Sequence, residues 1–281
     1  MRRITDYTSC FLSILSLSKN KAEKRQILTY FSKNDMEGLG KFYFSKAIHL
    51  FNSGKYNFAY KKFVNGYKYI TCDCKIGDWF SGNPVEYISD LENSHIQLFK
   101  KHFLKAFIFL YSDQYEKALD SIDCFLAIQP KNEIGYYFKG KILLEFKRYS
   151  EALSSFEKAL VLKHTGRTLY RIGKTREQFL SRYGLRELYD SLKLNLSSEC
   201  NYRYFIEYAS KKGLFEFYHP EIQKSFNENT DTAIRYGIVL AKDFLENGNS
   251  GAVKFITNQM LMVLEDFELN QNKNYVIHEP F

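Results

Sequence analysis

Apolar residues recur at intervals of three and four along most of the chain, the spacing that places them on one face of an α-helix. The periodicity predicts helices at 3–17, 21–32, 37–53, 56–71, 85–112, 115–128, 133–146, 149–162, 167–181, 184–195, 201–212, 220–227, 230–247 and 250–268. Glycine, proline and asparagine fall between these segments, as expected for turns. The pattern therefore predicts an all-α fold.

Part of this helical pattern repeats. Ala118 and Ala152 are 34 residues apart, and Ile122 aligns with Phe156 at the same interval. Each copy contains two helical segments, so the repeating unit is predicted to be a helical hairpin. A hairpin of this size cannot bury its apolar face alone, and neighbouring copies must stack to form a core.

A unit of this length, with small residues and aromatic residues at these offsets and a late proline, resembles the tetratricopeptide repeat. The unit starting at residue 133 carries Tyr136, Gly140, Leu143, Ala152 and Phe156 at the typical positions. The unit starting at residue 99 carries Ala106, Phe109, Ala118, Ile122 and Pro130. Three residues depart from the pattern: His102, Lys105 and Lys139.

The resemblance implies a tetratricopeptide-like solenoid of helical hairpins over residues 40–190. Its units are 40–73, 99–132, 133–166 and a partial unit at 167–190, with an insertion at 74–98. N-terminal helices are expected at 1–39, and a diverged helical capping region with a tail at 191–281. In the partial unit Gly173 comes one residue early for the family pattern.

In this family the first helix of each hairpin lines a concave groove that binds a segment of another protein. Mapped by position, the resemblance implies a partner-binding groove lined by Phe44, Phe51, Phe103, Phe107, Tyr111, Tyr137 and Lys141. Phe44 and Ile48 stand where the family's carboxylate clamp needs Lys and Asn. Such an aromatic groove can receive a protein segment, or it can be filled by the chain's own C-terminal helices, and the sequence leaves both open.

Basic residues are concentrated at residues 163–186. Arg167, Arg171 and Lys174 are spaced to share one helical face, which predicts a solvated cationic face. The full basic patch is Arg167, Arg171, Lys174, Arg176, Arg182 and Arg186. Besides simple solvation, an acidic protein partner or nucleic acid could use it, because phosphate contacts need such charges. Nucleic-acid association through this stretch is the alternative function.

Composition narrows these options. The chain has 281 residues, of which 45% are hydrophobic and 26% charged, so it can build a full core. The formal net charge is +8, although residues 191–281 carry more acidic than basic residues. Five dispersed cysteines predict free thiols in a reducing compartment, which favours the cytoplasm. Cys124, in the second helix of a repeat, is expected to be a small core residue.

Candidate chemistry is sparse. The six histidines are isolated from one another, and the H-E-x-x-H, G-x-S-x-G and P-loop motifs are absent. The apolar run at 11–17 is too short to span a bilayer. The sequence therefore predicts a non-enzymatic, cytoplasmic scaffold or adaptor without cofactor or metal, which binds a protein or peptide segment and not a membrane.

Overall fold

The computed structural model describes residues 36–69, 84–180, 184–194, 204–205 and 208–209. The chain divides into two compact units, Met1–Asn201 and Tyr202–Phe281. The helices expected at 3–17 and 21–32 lie outside the described residues. So does most of the capping region and tail expected at 191–281. In the second unit, the rings of Tyr204 and Tyr208 stack with centroids 6.0 Å apart.

Helices account for the regular structure of the described residues, and no strand occurs among them. Their bounds are α1 Met36–Asn52, α2 Tyr56–Tyr69, α3 Pro84–Asn93, α4 Leu98–Leu110, α5 Tyr115–Ile128, α6 Glu133–Glu145, α7 Tyr149–Leu162, α8 Gly166–Phe179 and α9 Leu185–Leu194. The prediction of an all-α fold is confirmed.

The helices pair in chain order. α1 packs with α2, α4 with α5, α6 with α7 and α8 with α9, so the described residues form four helical hairpins from neighbouring segments. Successive hairpins stack through α2 on α4, α5 on α6 and α7 on α8. This arrangement confirms the predicted hairpin solenoid, because each hairpin buries its apolar face against the next one.

One predicted helix is wrong. The sequence pattern runs on from residue 85 to 112, whereas the structure ends α3 at Asn93 and begins α4 at Leu98. The hydroxyl and the backbone N–H of Ser94 both donate to the carbonyl of Leu91, at 2.5 and 3.2 Å. These bonds close the last turn of α3, so the chain leaves the helix and α3 packs against α4 as a separate element.

The turn inside the first three hairpins has the same form. Gly54, Asp113 and Lys147 lie at the equivalent position and have φ angles of 70°, 56° and 60°. In each turn the next residue's N–H reaches back five residues, as Arg148 does to the carbonyl of Leu143 at 2.8 Å. This is a Schellman motif, in which a left-handed residue ends the helix. The motif places the first hairpin in register with the others despite the insertion.

Small residues let the helices of a hairpin approach closely, as the sequence predicted. A Cβ atom built on Gly140 would lie 2.6 Å from the ring of Phe156. A Cβ atom on Gly66 would lie 2.8 Å from the ring of Phe44. Ala118 and Ala152, which share one position of the repeat, are fully buried. The aromatic rings therefore fill the space that these small residues leave.

The fourth hairpin uses its glycines differently. A Cβ on Gly173 would meet the carbonyl oxygen of Gly184 at 2.7 Å, and a Cβ on Gly184 would meet the carbonyl of Gly173. Backbone therefore packs on backbone where α8 crosses the start of α9. Gly173, which comes one residue early for the family pattern, therefore packs on the backbone of Gly184 and not on an aromatic ring.

Two departures from the repeat pattern have partners on the neighbouring helix. Lys139 in α6 pairs with Asp123 in α5 at 2.6 Å, and Lys105 in α4 pairs with Glu92 in α3. Both ion pairs are partly exposed, so each contributes less than about 1 kcal/mol. The expectation for Cys124 is wrong, because its side chain is exposed on α5.

We expect Lys147→Gly to raise the free energy of unfolding by about 1 kcal/mol. A left-handed conformation costs a non-glycine residue about 1–2 kcal/mol, of which the extra freedom of glycine in the unfolded chain offsets a part. Urea denaturation of the purified protein measures the change. Gly54→Ala makes the opposite change at the equivalent position and should lower the free energy of unfolding. A change of the same sign in both variants would contradict the turn assignment.

We expect Gly140→Ala to destabilise the third hairpin by about 1–3 kcal/mol, because the added methyl group pushes into the Phe156 ring. Combining it with Phe156→Leu, which makes room, should cost less than the sum of the single changes. A double-mutant cycle in urea measures this coupling. Strict additivity would show that the two residues do not share the space.

Candidate partner-binding site

A cluster of aromatic rings forms the centre of the hairpin stack. The ring centroids of Phe63 in α2 and Phe107 in α4 lie 4.1 Å apart, and those of Phe103 in α4 and Phe138 in α6 lie 5.3 Å apart. Farther along, Tyr137 lies 5.6 Å from Phe156 in α7. Contacts of this kind join the first three hairpins through one continuous core. Aromatic pairs at these distances add about 0.5–1.5 kcal/mol each beyond their buried area.

Most of the residues predicted to line a groove lie within this core. The exposed fraction is 0% for Phe44, Phe103, Phe107 and Tyr137 and 2% for Phe51. Tyr111 is half-buried, and Lys141 keeps 7% of its surface. The rings therefore stabilise the fold in this structure. Their use as a partner-binding surface stays a prediction.

Tyr67, near the end of α2, accounts for much of this burial. Its ring contacts those of Phe44 at 5.0 Å, Phe138 at 5.1 Å, and Phe103 and Tyr137 at 6.3 and 6.2 Å. One side chain of the first hairpin thus touches helices of the second and third. The sequence reasoning missed Tyr67 because its unit matches the repeat pattern weakly. The neighbouring Gly66 is the signal that could have located this close packing.

Polar groups gather at one edge of the cluster around Tyr67. The ammonium nitrogen of Lys141 lies 5.7 Å from the centre of the Tyr67 ring, a cation–π distance. Burial raises the pKa of Tyr67 well above its ordinary value, the hydroxyls of Tyr111 and Tyr137 add to the rise, and Arg171 opposes it. The Tyr67 hydroxyl therefore stays protonated at neutral pH. This edge combines aromatic surface with hydroxyl groups and cations.

The solvated cationic face predicted for residues 163–186 is wrong at its three central residues. Arg167, Arg171 and Lys174 expose 4%, 2% and 8% of their surface. The two arginines face inward because the first turns of α8 lie against α6. The guanidinium of Arg167 stacks over the Tyr137 ring at 5.0 Å, and the Arg171 Nε lies 3.4 Å from the Tyr137 hydroxyl.

Arg167 connects three helices. One guanidinium nitrogen donates to the backbone carbonyl of Tyr67 in α2, and another donates to the carboxylate of Glu133 in α6. Glu133 and Arg167 are 34 residues apart, as are Tyr137 and Arg171. The first helices of the third and fourth units therefore lie side by side in the repeat register.

The remaining basic residues of this stretch do not join the others on one surface. Arg176 is partly buried and pairs with Glu157 of α7 at 3.0 Å and with Glu187 of α9. Arg186 is largely exposed on α9, 3.9 Å from Asp190. Arg182 lies outside the described residues. The described cations are thus divided between the interior, an interhelical ion pair and a separate exposed position.

The described ranges also bear on metal binding and on membrane insertion. Among these residues, no three His, Cys, Asp or Glu side chains come close enough to hold a metal ion. No helix there has the length and the apolar character needed to cross a membrane.

The chain matches no family model, and no curated protein matches it. Solved structures that this chain matches include the protein MamA AMB-1, with 19% identity, a TM-score of 0.38, and coverage of 57% of this chain and 93% of that one. Another is the C-terminal part of a TPR repeat-containing protein from Cytophaga hutchinsonii, with 13% identity, a TM-score of 0.40, and coverage of 93% and 95%. A third is the P58(IPK) TPR domain, with 14% identity, a TM-score of 0.36, and coverage of 94% and 75%.

Three internal features identify the fold independently of those structures: the stacked hairpins, the shared left-handed turn and the contacts between residues 34 apart. On this ground the described part of the first unit is a tetratricopeptide-like helical repeat.

Proposed function

We propose that this protein is a non-enzymatic scaffold or adaptor that binds a segment of another protein on the inner face of its hairpin stack. The observation that carries the proposal is the edge of the aromatic cluster, where the half-buried Tyr111 and the largely buried Lys141 lie beside the buried Tyr67. Aromatic rings with a few polar groups at their rim are typical of surfaces that bind peptides. The dispersal of five cysteines along the sequence favours free thiols and the cytoplasm as its location.

The two rim residues differ in what they would supply. Tyr111 packs its ring against Phe107 at 4.6 Å, so it presents apolar area continuous with the core. Lys141 keeps 7% of its surface and places a cation over the Tyr67 ring, which would favour an acidic segment bound at this edge. A stacked hairpin scaffold holds both residues on rigid helices or at a helix end, which limits the entropy lost on binding.

Nucleic-acid association through residues 163–186 is less well supported. Phosphate binding needs cations that water and the nucleic acid can reach. Arg167, Arg171 and Lys174 are instead buried, and both arginines contact Tyr137. The inward orientation of these side chains therefore favours the protein-binding proposal over the alternative.

The experiment is affinity capture of the tagged full chain from its native lysate, with mass spectrometry for proteins and an absorbance ratio for nucleic acid. We expect a protein partner whose binding falls at least about tenfold, or about 1.4 kcal/mol, in a variant with Tyr111→Ala and Lys141→Met. The reason is that these changes remove the apolar and cationic rim while leaving the interior rings in place.

The matched control is Tyr115→Ala with Lys139→Met, which alters the same residue types at neighbouring positions away from the rim. Partner binding should survive in this control, and loss of binding in both variants would contradict the rim assignment. Truncation of Phe107 or Tyr137 is unsuitable, since removing a buried ring costs about 3–5 kcal/mol of stability. Co-purifying nucleic acid that salt removes would instead support the alternative.

A further inference from the structure

Helix α8 differs from the other helices of the stack in what it buries. The buried residues of α4 are all apolar. Those of α8 include six polar or charged residues, namely Arg167, Thr168, Arg171, Lys174, Thr175 and Glu177. Exposing polar groups to water costs far less than exposing the same area of hydrocarbon, because water solvates them. Opening α8 therefore exposes fewer apolar side chains to water than opening α4 does.

Part of this polar surface lies against the aromatic cluster whose edge is the proposed binding site. Arg167 and Arg171, one helical turn apart, both contact Tyr137, and the Tyr137 ring neighbours that of Tyr67. Water can solvate the guanidinium groups once they leave the ring, whereas an aliphatic cover would lose its burial. In the contact between α8 and α6, water can therefore replace the protein groups around the two guanidinium groups.

One residue fixes the closed arrangement. Arg167 joins α8 to the carbonyl of Tyr67 in α2 and to the carboxylate of Glu133 in α6, and the side chains of the Arg167–Glu133 ion pair are both largely buried. A buried pair of this kind is costly to break singly, because the remaining charge is left without a counter-ion. The three-helix link, which we name the Arg167 bridge, therefore sets how readily α8 separates.

We propose that α8 is a built-in cover over the Tyr137 and Tyr67 surface, held closed by the Arg167 bridge and released when a partner segment competes for that surface. This regulation rests on the proposed function. Its physical basis is a local opening equilibrium, in which part of a protein separates at less than the cost of global unfolding. A partner that binds the open form shifts this equilibrium toward it.

The test is amide hydrogen exchange of the full chain without any partner, comparing Arg167→Met with the unchanged protein. We expect exchange at residues 63–69 and 133–141 to rise at least about tenfold, while exchange across residues 115–128 stays unchanged. The matched control is Arg176→Met, which removes an arginine from the same helix but not from the bridge. It should leave residues 63–69 unaffected.

A second variant keeps the proposal falsifiable if Arg167→Met does not fold. Glu133→Gln retains the shape and the bond to the Tyr67 carbonyl but removes the counter-charge, and it should raise exchange at the same two segments. An even rise across α4 to α8, or no rise at residues 63–69 and 133–141, overturns the cover. Either result would assign the Arg167 bridge a purely structural role.

Partner binding separates this inference from the proposed function. A partner captured by the unchanged protein should bind Arg167→Met more tightly, because less free energy is spent on opening. Unchanged or weaker binding, alongside normal partner capture, overturns the cover alone. Local opening in a protein that captures no partner overturns the proposed function and leaves the cover intact.

Discussion

The structure depends on the burial of aromatic rings between successive helical hairpins. A single hairpin exposes one apolar face, and the rings of α2, α4 and α6 close that face by packing on one another. Tyr67 occupies the point where three hairpins meet, and Phe63 and Phe107 lie 4.1 Å apart beside it. Because the core runs through all of these contacts, the hairpins stabilise each other rather than folding as independent pieces.

The same requirement explains the glycines and the turns. Rings as large as Phe44 and Phe156 fit between helices because Gly66 and Gly140 face them. The left-handed residue at Gly54, Asp113 and Lys147 fixes the angle at which each second helix returns. Local backbone geometry and the aromatic packing thus specify the same hairpin, which is the consistency expected of a well-defined fold.

Burying charged side chains opposes the stability that this core provides. Arg167 and Glu133 are buried together, although taking a cation and a carboxylate out of water costs several kcal/mol per ion before pairing returns any of it. The polar contacts around Tyr137 and Tyr67 therefore stabilise less, for their area, than the rings below them. A scaffold needs such a region wherever its binding surface must be shielded in one state and available in another.

The sequence by itself determined the helical class, the 34-residue register and the hairpin pairing, because these follow from local periodicity and from small residues placed opposite large ones. It also located Phe107, Tyr137 and Lys141 on the first helices of their units. Tertiary structure decided which of these residues touch solvent. Tyr67 of the first hairpin packs on rings of the second and third hairpins. Arg167 and Arg171 of α8 lie inside because they bind residues that are 34 and 100 positions away in the sequence. Helical spacing gives the face on which a side chain lies, whereas its burial depends on what the rest of the chain places against that face.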